Sequence, residues 1–338
     1  MASASDKKQT EAVQVTGDWF ETYFGLTEQE WVSGGCKVDA GSIRCHEDIG
    51  TFYVVKCEDL FVNLACEERG ANTEKVLEVW TRRHFANEKC FNTSALQADA
   101  EDGVCMFQIA SNFDTLARAH YTRNVRDGEF MHDVMNDCSQ EPSAAGGAPA
   151  AAALRMSMQP INLLDKINVK DFPVKNGKVY TNWLKPGMDR FDWMDVCVGL
   201  HCNARAVFDR SGDHLVYNKD GPRIHQVFAS TCIQNHRTEK SEISAKFLRA
   251  AYTGAYMGAI DKNVKFLYLT VVGGGCFANN YDVIAKELAD AHTTLSVYLR
   301  KDCRVILALY EPNDHFAEVI CKAMGRNAVI VDKTGDGK

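Results

Sequence analysis

Apolar residues along this chain follow two alternating rhythms. Thr51–Val55, Val104–Ala110, Gln226–Ile233, Val264–Val272 and Val305–Tyr310 are short apolar runs with the length and composition of buried strands. Between the later ones, Ile243–Ile260 and Tyr281–His292 carry apolar residues at helical spacing. Near the start, Trp19, Phe20, Tyr23 and Phe24 share one helical face before Gly25, a C-terminal stop; they read as core or docking residues. Glu74–Trp80 is apolar enough for either a strand or a helix. Lys175-Asn176-Gly177-Lys178 predicts a turn and Pro222 opens a loop. Strands alternating with helices predict an α/β fold in layers.

The polar start of the chain, residues 1–15, reads as a disordered tail, and residues 326–338 as a C-terminal tail. Between them, 16–325 reads as one elaborated domain without internal repeats. Pro142–Ala153 is rich in Ala, Gly and Pro, which suits a flexible linker. It also runs into Ala150–Met158, so a loop feeding a small-residue helix packed closely on the sheet is the competing reading.

Composition narrows the functional classes. A length of 338 residues allows a sizeable core. A net charge of −7 argues against broad nucleic-acid binding, which needs a basic face. No apolar run approaches the ~20 residues of a membrane helix, and Met1–Thr10 lacks the apolar stretch of a signal peptide. The thirteen cysteines are an odd number without C-x-x-C pairs, which suits reduced thiols in a cytoplasmic protein and no zinc site. Asn92-Thr93-Ser94 matches a glycosylation sequon and reads as a surface loop.

The chemistry concentrates where Leu267–Val272 runs into Gly273-Gly274-Gly275 and a helix begins at Tyr281. This order places backbone amides and a helix N-terminus where an anion can sit. It is not a P-loop, since no Gly-Lys-Ser/Thr follows, nor a G-x-G-x-x-G fingerprint. A diphosphate is the natural ligand; a plain tight turn is the alternative. Ser111-Asn112 closes another strand and Ser139-Gln140 precedes the small-residue helix. All three clusters can meet at one sheet edge, where open α/β sheets place their ligands. Asp282 and Asp290 are eight helical residues apart, within ~80° of each other around the axis. A carboxylate there could orient water or offset an oxocarbenium charge; a helix-start acid and a solvated surface acid are the plainer readings. Cys276 beside a helix N-terminus could form a thiolate, but neither His225 nor His292 is marked as its base. An adenosyl-cofactor methyltransferase would carry its glycines after the first strand, and here they come late.

These segments resemble a macrodomain-like family related to poly(ADP-ribose) glycohydrolases. Met106-Phe107-Gln108-Ile109-Ala110-Ser111-Asn112-Phe113 resembles its F-Q-x-A-S-x-F-N segment, and Asp137-Cys138-Ser139-Gln140-Glu141-Pro142-Ser143-Ala144 its D-x-T-Q-G-P-A-C-A segment. Gln226–Ser230 resembles Q-V-F-C-S, and Leu269–Asn279 followed by Ile284 resembles L-T-x-x-G-G-G-V-F-G-N with W-I. The matches keep their order across roughly residues 20 to 315. Glu141 and Ala278 stand where the family has glycines, Asn112-Phe113-Asp114 shifts a phenylalanine-asparagine pair, and paired glutamates after the glycines are absent.

The resemblance implies a three-layer α/β/α macrodomain-like fold with a mixed central sheet and N-terminal and internal elaborations. It implies ADP-ribose binding through Gln108, Ser111, Ser139, Gln140, Gly273, Gly274, Gly275, Cys276, Phe277 and Asn279. Asn112 would meet the distal ribose, and Asp282 and Asp290 would be the catalytic acids. The missing glutamates favour a mono-ADP-ribosyl target over the polymer. The family includes bacterial effectors that free an arginine of ubiquitin. The expectation is a cofactor-free hydrolase of ADP-ribosylated protein, on arginine and with ubiquitin a candidate target; a silent ADP-ribose reader is the alternative.

Overall fold

The computed structural model describes residues 38–39, 42–44, 50–65, 75–81, 93–115, 161–206, 208–211, 214–217, 221–237, 241–309 and 314–333. The aromatic helix expected at Trp19–Phe24, the Ser139-Gln140 loop and the helix at Ala150–Met158 lie outside these residues.

Twelve strands are described. They are β1 (Val38–Asp39), β2 (Ser42–Arg44), β3 (Thr51–Lys56), β4 (Leu77–Thr81), β5 (Cys105–Ala110), β6 (Cys197–Arg205), β7 (Phe208–Ser211), β8 (His214–Tyr217), β9 (Arg223–Ala229), β10 (Phe266–Leu269), β11 (Arg304–Ala308) and β12 (Ala328–Asp332). Ten form one sheet in the order β1-β2-β3-β6-β9-β5-β10-β11-β4-β12, while β7 and β8 pair as a separate hairpin. From β9 to β12 all neighbours are parallel; β6 runs antiparallel to both β3 and β9. The sheet is therefore mixed, as expected, and the parallel strands bring their carboxyl ends to one edge.

The described helices are α1 (Cys57–Ala65), α2 (Thr93–Ala98), α3 (Glu242–Asp261), α4 (Tyr281–Leu295) and α5 (Asp314–Met324). Helix α3 lies over β6, β9 and β10, with α1 and α4 beside it and α5 beyond α4. Gly254 and Gly258 let its backbone approach closely: a Cβ at 254 would fall 2.6 Å from Val198 Cγ1, and one at 258 would fall 3.0 Å from Leu200 Cδ2. Phe247, Tyr252 and Tyr256 on the same helix are fully buried. Each such aromatic contributes about 1.5–3 kcal/mol by burial. Arg249 forks onto the buried Glu287 of α4 at 2.7 and 3.2 Å, which satisfies an acid that could not otherwise be buried. Helix α2 belongs to the other face, where Gln97 meets Gln226 of β9 at 3.5 Å.

Five sequence readings change. Val264–Val272 and Gln226–Ile233 end early as strands, at Leu269 and Ala229, because the next residues leave the ladder. The Thr270 amide, for example, is taken by Gln108 Oε1 at 3.2 Å. Glu74–Trp80 resolves as a strand because it is sandwiched between β11 and β12. Residues 328–332, expected in a C-terminal tail, form β12 on the sheet edge, because alternating Val329 and Val331 pair with β4. Thr93 and Ser94 of the sequon open α2 instead of a loop. The eight described cysteines form no disulfide, and burial pushes the thiols of Cys105, Cys197 and Cys202 up to about 11. Among the described residues no group of side chains could hold a metal, and no helix is long and apolar enough to cross a membrane.

At the amino edge of β9, His225 is 4% exposed, contacts the Gly103 carbonyl through Nε2 at 3.2 Å, and leaves Nδ1 without a partner. Burial holds its pKa below the ordinary 6.5. The unfolded chain then binds a proton that the native state refuses, so this residue subtracts stability as pH falls below about 6.5. His225→Leu should show a smaller drop in urea midpoint than wild type between pH 7 and pH 5. An equal or larger drop would place the acid sensitivity elsewhere.

Candidate ligand site at the carboxyl edge of the parallel strands

Three strand ends meet at this edge: β9, β5 and β10 are neighbours, with Phe107 paired to Tyr268 and Ala110 to Ala229. After β5, the Ser111 amide still bonds the Ala229 carbonyl at 2.9 Å, and the chain then turns through Asn112, Phe113 and Asp114. The Asn112 carbonyl closes this turn on the Thr115 amide at 2.9 Å, with Thr115 at φ +63°. That angle is strained for a β-branched residue. The turn predicted at 175–178 forms as a type I′ turn, with reciprocal 3.0 Å bonds between Lys175 and Lys178 and positive φ at Asn176 and Gly177. It braces the β5 turn, since the Gly177 carbonyl accepts from Phe113 N at 2.7 Å and Gly177 lies against the Asp114 carboxylate. Asn112 is left 3% exposed with its Nδ2 unpartnered. A buried orphan donor costs about 1–3 kcal/mol unless a ligand satisfies it.

The glycine loop after β10 is shaped by its own backbone. Gly274 N bonds Val271 O at 2.9 Å, Ala278 N bonds Gly275 O at 3.0 Å, and Asn279 N bonds Gly273 O at 3.0 Å. Gly273 has φ +72°, and a Cβ there would fall 2.6 Å from Asn279 Nδ2. A Cβ at Gly274 would run into Val271, so this glycine serves packing and not ligand approach. Gly275 is exposed and a Cβ on it would meet nothing within 4 Å. Among the described residues the amides of Gly275 and Phe277 take no partner. They are the loop's available donors to an anion.

The start of α4 departs from expectation. Asn280 caps the helix, its Oδ1 accepting from Asp282 N at 3.0 Å and Val283 N at 3.3 Å. Those amides are engaged by the cap and are not open to an anion. Asp282 is exposed in the first turn. Asp290 lies two turns on, about 12 Å along the axis, and its carboxylate pairs with Lys286 at 2.6 Å in solvent. The structure does not bring it to the glycine loop.

Two other expected ligand contacts are already occupied by the fold. Gln108 donates Nε2–H to the Ala251 carbonyl of α3 at 3.0 Å and accepts at Oε1 from Thr270 N, which joins β5, α3 and β10. Asn279 is fully buried: its Nδ2 is within reach of Cys232 O at 3.0 Å, Phe277 O at 3.2 Å and Gly273 O at 3.4 Å. Its Oδ1 accepts from Ser244 and from Thr231 Oγ1. Ser111 Oγ bonds the Asn112 carbonyl at 2.9 Å. Cys276 is exposed on the loop. His292 is consumed elsewhere, between Tyr256 and the Lys75 carbonyl at 2.7 Å each, and His225 sits at the opposite sheet edge.

No family model matches the sequence, and no curated protein matches it. Solved structures with a similar overall arrangement include a poly(ADP-ribose) glycohydrolase from Thermomonospora curvata, at 14% identity and TM-score 0.46, covering 80% of this chain and 85% of that one. Another is a poly(ADP-ribose) glycohydrolase from Deinococcus radiodurans solved in complex with ADP-ribose, at 12% identity and TM-score 0.40, covering 81% and 94%.

Sequence reasoning passed over the segment after β9. Gln234 is 3% exposed with both amide atoms unpartnered, and its backbone N bonds Phe277 O at 2.9 Å. Arg237 reaches back to the loop, bonding Asn279 O at 3.2 Å and Gly275 O at 3.3 Å, with its guanidinium 4.3 Å from the Tyr281 ring centroid. The signal was available: Gln234-Asn235-His236-Arg237 is a polar run after a strand, like Ser111-Asn112.

Ala278 holds φ +52°, a position where Cβ crowds its own carbonyl. Ala278→Gly should stabilise the protein by about 0.5–1 kcal/mol, the strain relieved less the added unfolded-state freedom. Asn279→Ala should cost about 2–4 kcal/mol by orphaning several buried groups together. Chemical denaturation of both variants checks the pair of signs.

Proposed function

We propose that the chain binds ADP-ribose at this edge and hydrolyses its glycosidic bond to a protein side chain, arginine above others, with ubiquitin a candidate target. The observation that supports this most is the juxtaposition of an open Gly275, and of the Gly275 and Phe277 amides that take no partner among the described residues, with the orphaned Nδ2 of Asn112 one strand away. A diphosphate suits the loop amides, and a ribose hydroxyl suits a buried carboxamide donor. Ser139 and Gln140 join the proposal as further ligand contacts through the family resemblance.

The reaction replaces the ribose C–N bond by a C–O bond from water. The electron pair of the broken bond leaves on the guanidine nitrogen, and the proton lost by water ends on the departing group. Positive charge gathers on the ribose carbon in the transition state, so a carboxylate nearby lowers the barrier. Asp282, exposed at the rim next to the loop, takes this role; Asp290, tied to Lys286, is dispensable.

One observation favours the second reading, a reader without turnover: Gly273–Asn280 contains no carboxylate. Release of ADP-ribose from arginine-modified protein separates the two. Asn112→Ala and Asp282→Ala should each lower release by ~10²-fold or more while leaving thermal unfolding nearly unchanged. Wild-type turnover in both variants would remove these assignments, and no release by wild type would leave the reader.

Gly275→Val should fold normally, since its Cβ enters open space, yet lose most ADP-ribose affinity. Calorimetric titration showing unchanged affinity would move the diphosphate away from this loop.

A further inference from the structure

We propose that Arg237 is the fixed cation of the site, making it select a diphosphate over an uncharged nucleoside; the proposal rests on the ligand reading above. Arg237 follows β9 and lies half-buried across the mouth of the glycine loop. Its guanidinium is held by neutral groups: the carbonyls of Asn279 and Gly275 and the face of Tyr281. Its own carbonyl accepts from Asn280 Nδ2 at 3.0 Å, which locks the segment to the cap of α4.

No carboxylate pairs with Arg237 among the described residues. That is unusual in an acidic chain of net charge −7, where Arg249, Arg300 and Arg304 each hold an acid. Carbonyl partners fix the position of a guanidinium without neutralising it. Of its five N–H donors, the two loop bonds engage two. The charge therefore stands beside Gly275, the loop residue open to a ligand, with donors left for phosphate oxygens. The Tyr281 ring limits its swing, so little order is lost when an anion arrives.

A purely structural strap would hold the loop for every ligand alike, whereas a diphosphate-reading cation acts only on charged ones. The test measures binding of ADP-ribose, inorganic pyrophosphate and adenosine by wild type, Arg237→Met and Arg237→Lys, each at two salt concentrations. Arg237→Met should weaken ADP-ribose and pyrophosphate by about 10- to 100-fold, leave adenosine within about twofold, and flatten the salt dependence of affinity. Arg237→Lys should keep that salt dependence with a smaller loss. Equal weakening of adenosine, or unchanged pyrophosphate affinity in Arg237→Met, overturns the proposal. If wild type binds pyrophosphate in an Arg237-dependent way but not ADP-ribose, the functional reading fails and the cation stands. If wild type binds neither, both fall.

Discussion

The site depends on one buried carboxamide. Asn279 ties the glycine loop to the Cys232 carbonyl after β9 and to Ser244 in the first turn of α3, so three segments share one polar knot with no water access. A carboxamide suits this place because it donates and accepts from one planar group; a carboxylate could not reach the carbonyls without repulsion. The knot fixes where Gly273 takes its left-handed turn, hence where Gly275 opens outward. It also sets the distance from the loop to Arg237, whose guanidinium reads the Asn279 carbonyl. Buried networks of this kind hold a geometry only when every member is satisfied.

The layering was legible because strands buried on both sides leave unbroken apolar runs. Val104–Ala110 and Val305–Tyr310 became β5 and β11, the second shortened to Arg304–Ala308. The long amphipathic segments became α3 and α4 within a few residues. β6 was not anticipated: Cys197–Arg205 contains Gly199, His201 and Asn203, which dilute the strand signal, and only its place between β3 and β9 makes it a strand. β12, by contrast, carries a clear strand signal in Ala328-Val329-Ile330-Val331, which the tail reading of residues 326–338 passed over.

Side-chain roles were less legible than backbone placement. Spacing could bring Gln108 and Asn279 to the right edge, but could not show that both amides are engaged by the fold. Helical periodicity places Asp282 and Asp290 within ~80° of each other around the axis, yet it carries no information about height, and two turns of helix separate them. Arg237 shows the converse. Its role comes from a contact across 38 and 42 residues of sequence to the Gly275 and Asn279 carbonyls, which no local pattern encodes.

The close seating of α3 on β6 has an evolutionary consequence. Gly254 leaves room only for the hydrogen it carries, because Val198 fills the space a Cβ would take. A larger residue at 254 can be accommodated only if 198 shrinks in the same lineage. Homologues should therefore vary at these two positions as a pair, with their combined volume held nearly constant while each drifts. That covariation would mark which descendants keep α3, and with it Ser244 beneath the glycine loop, at this height above the sheet.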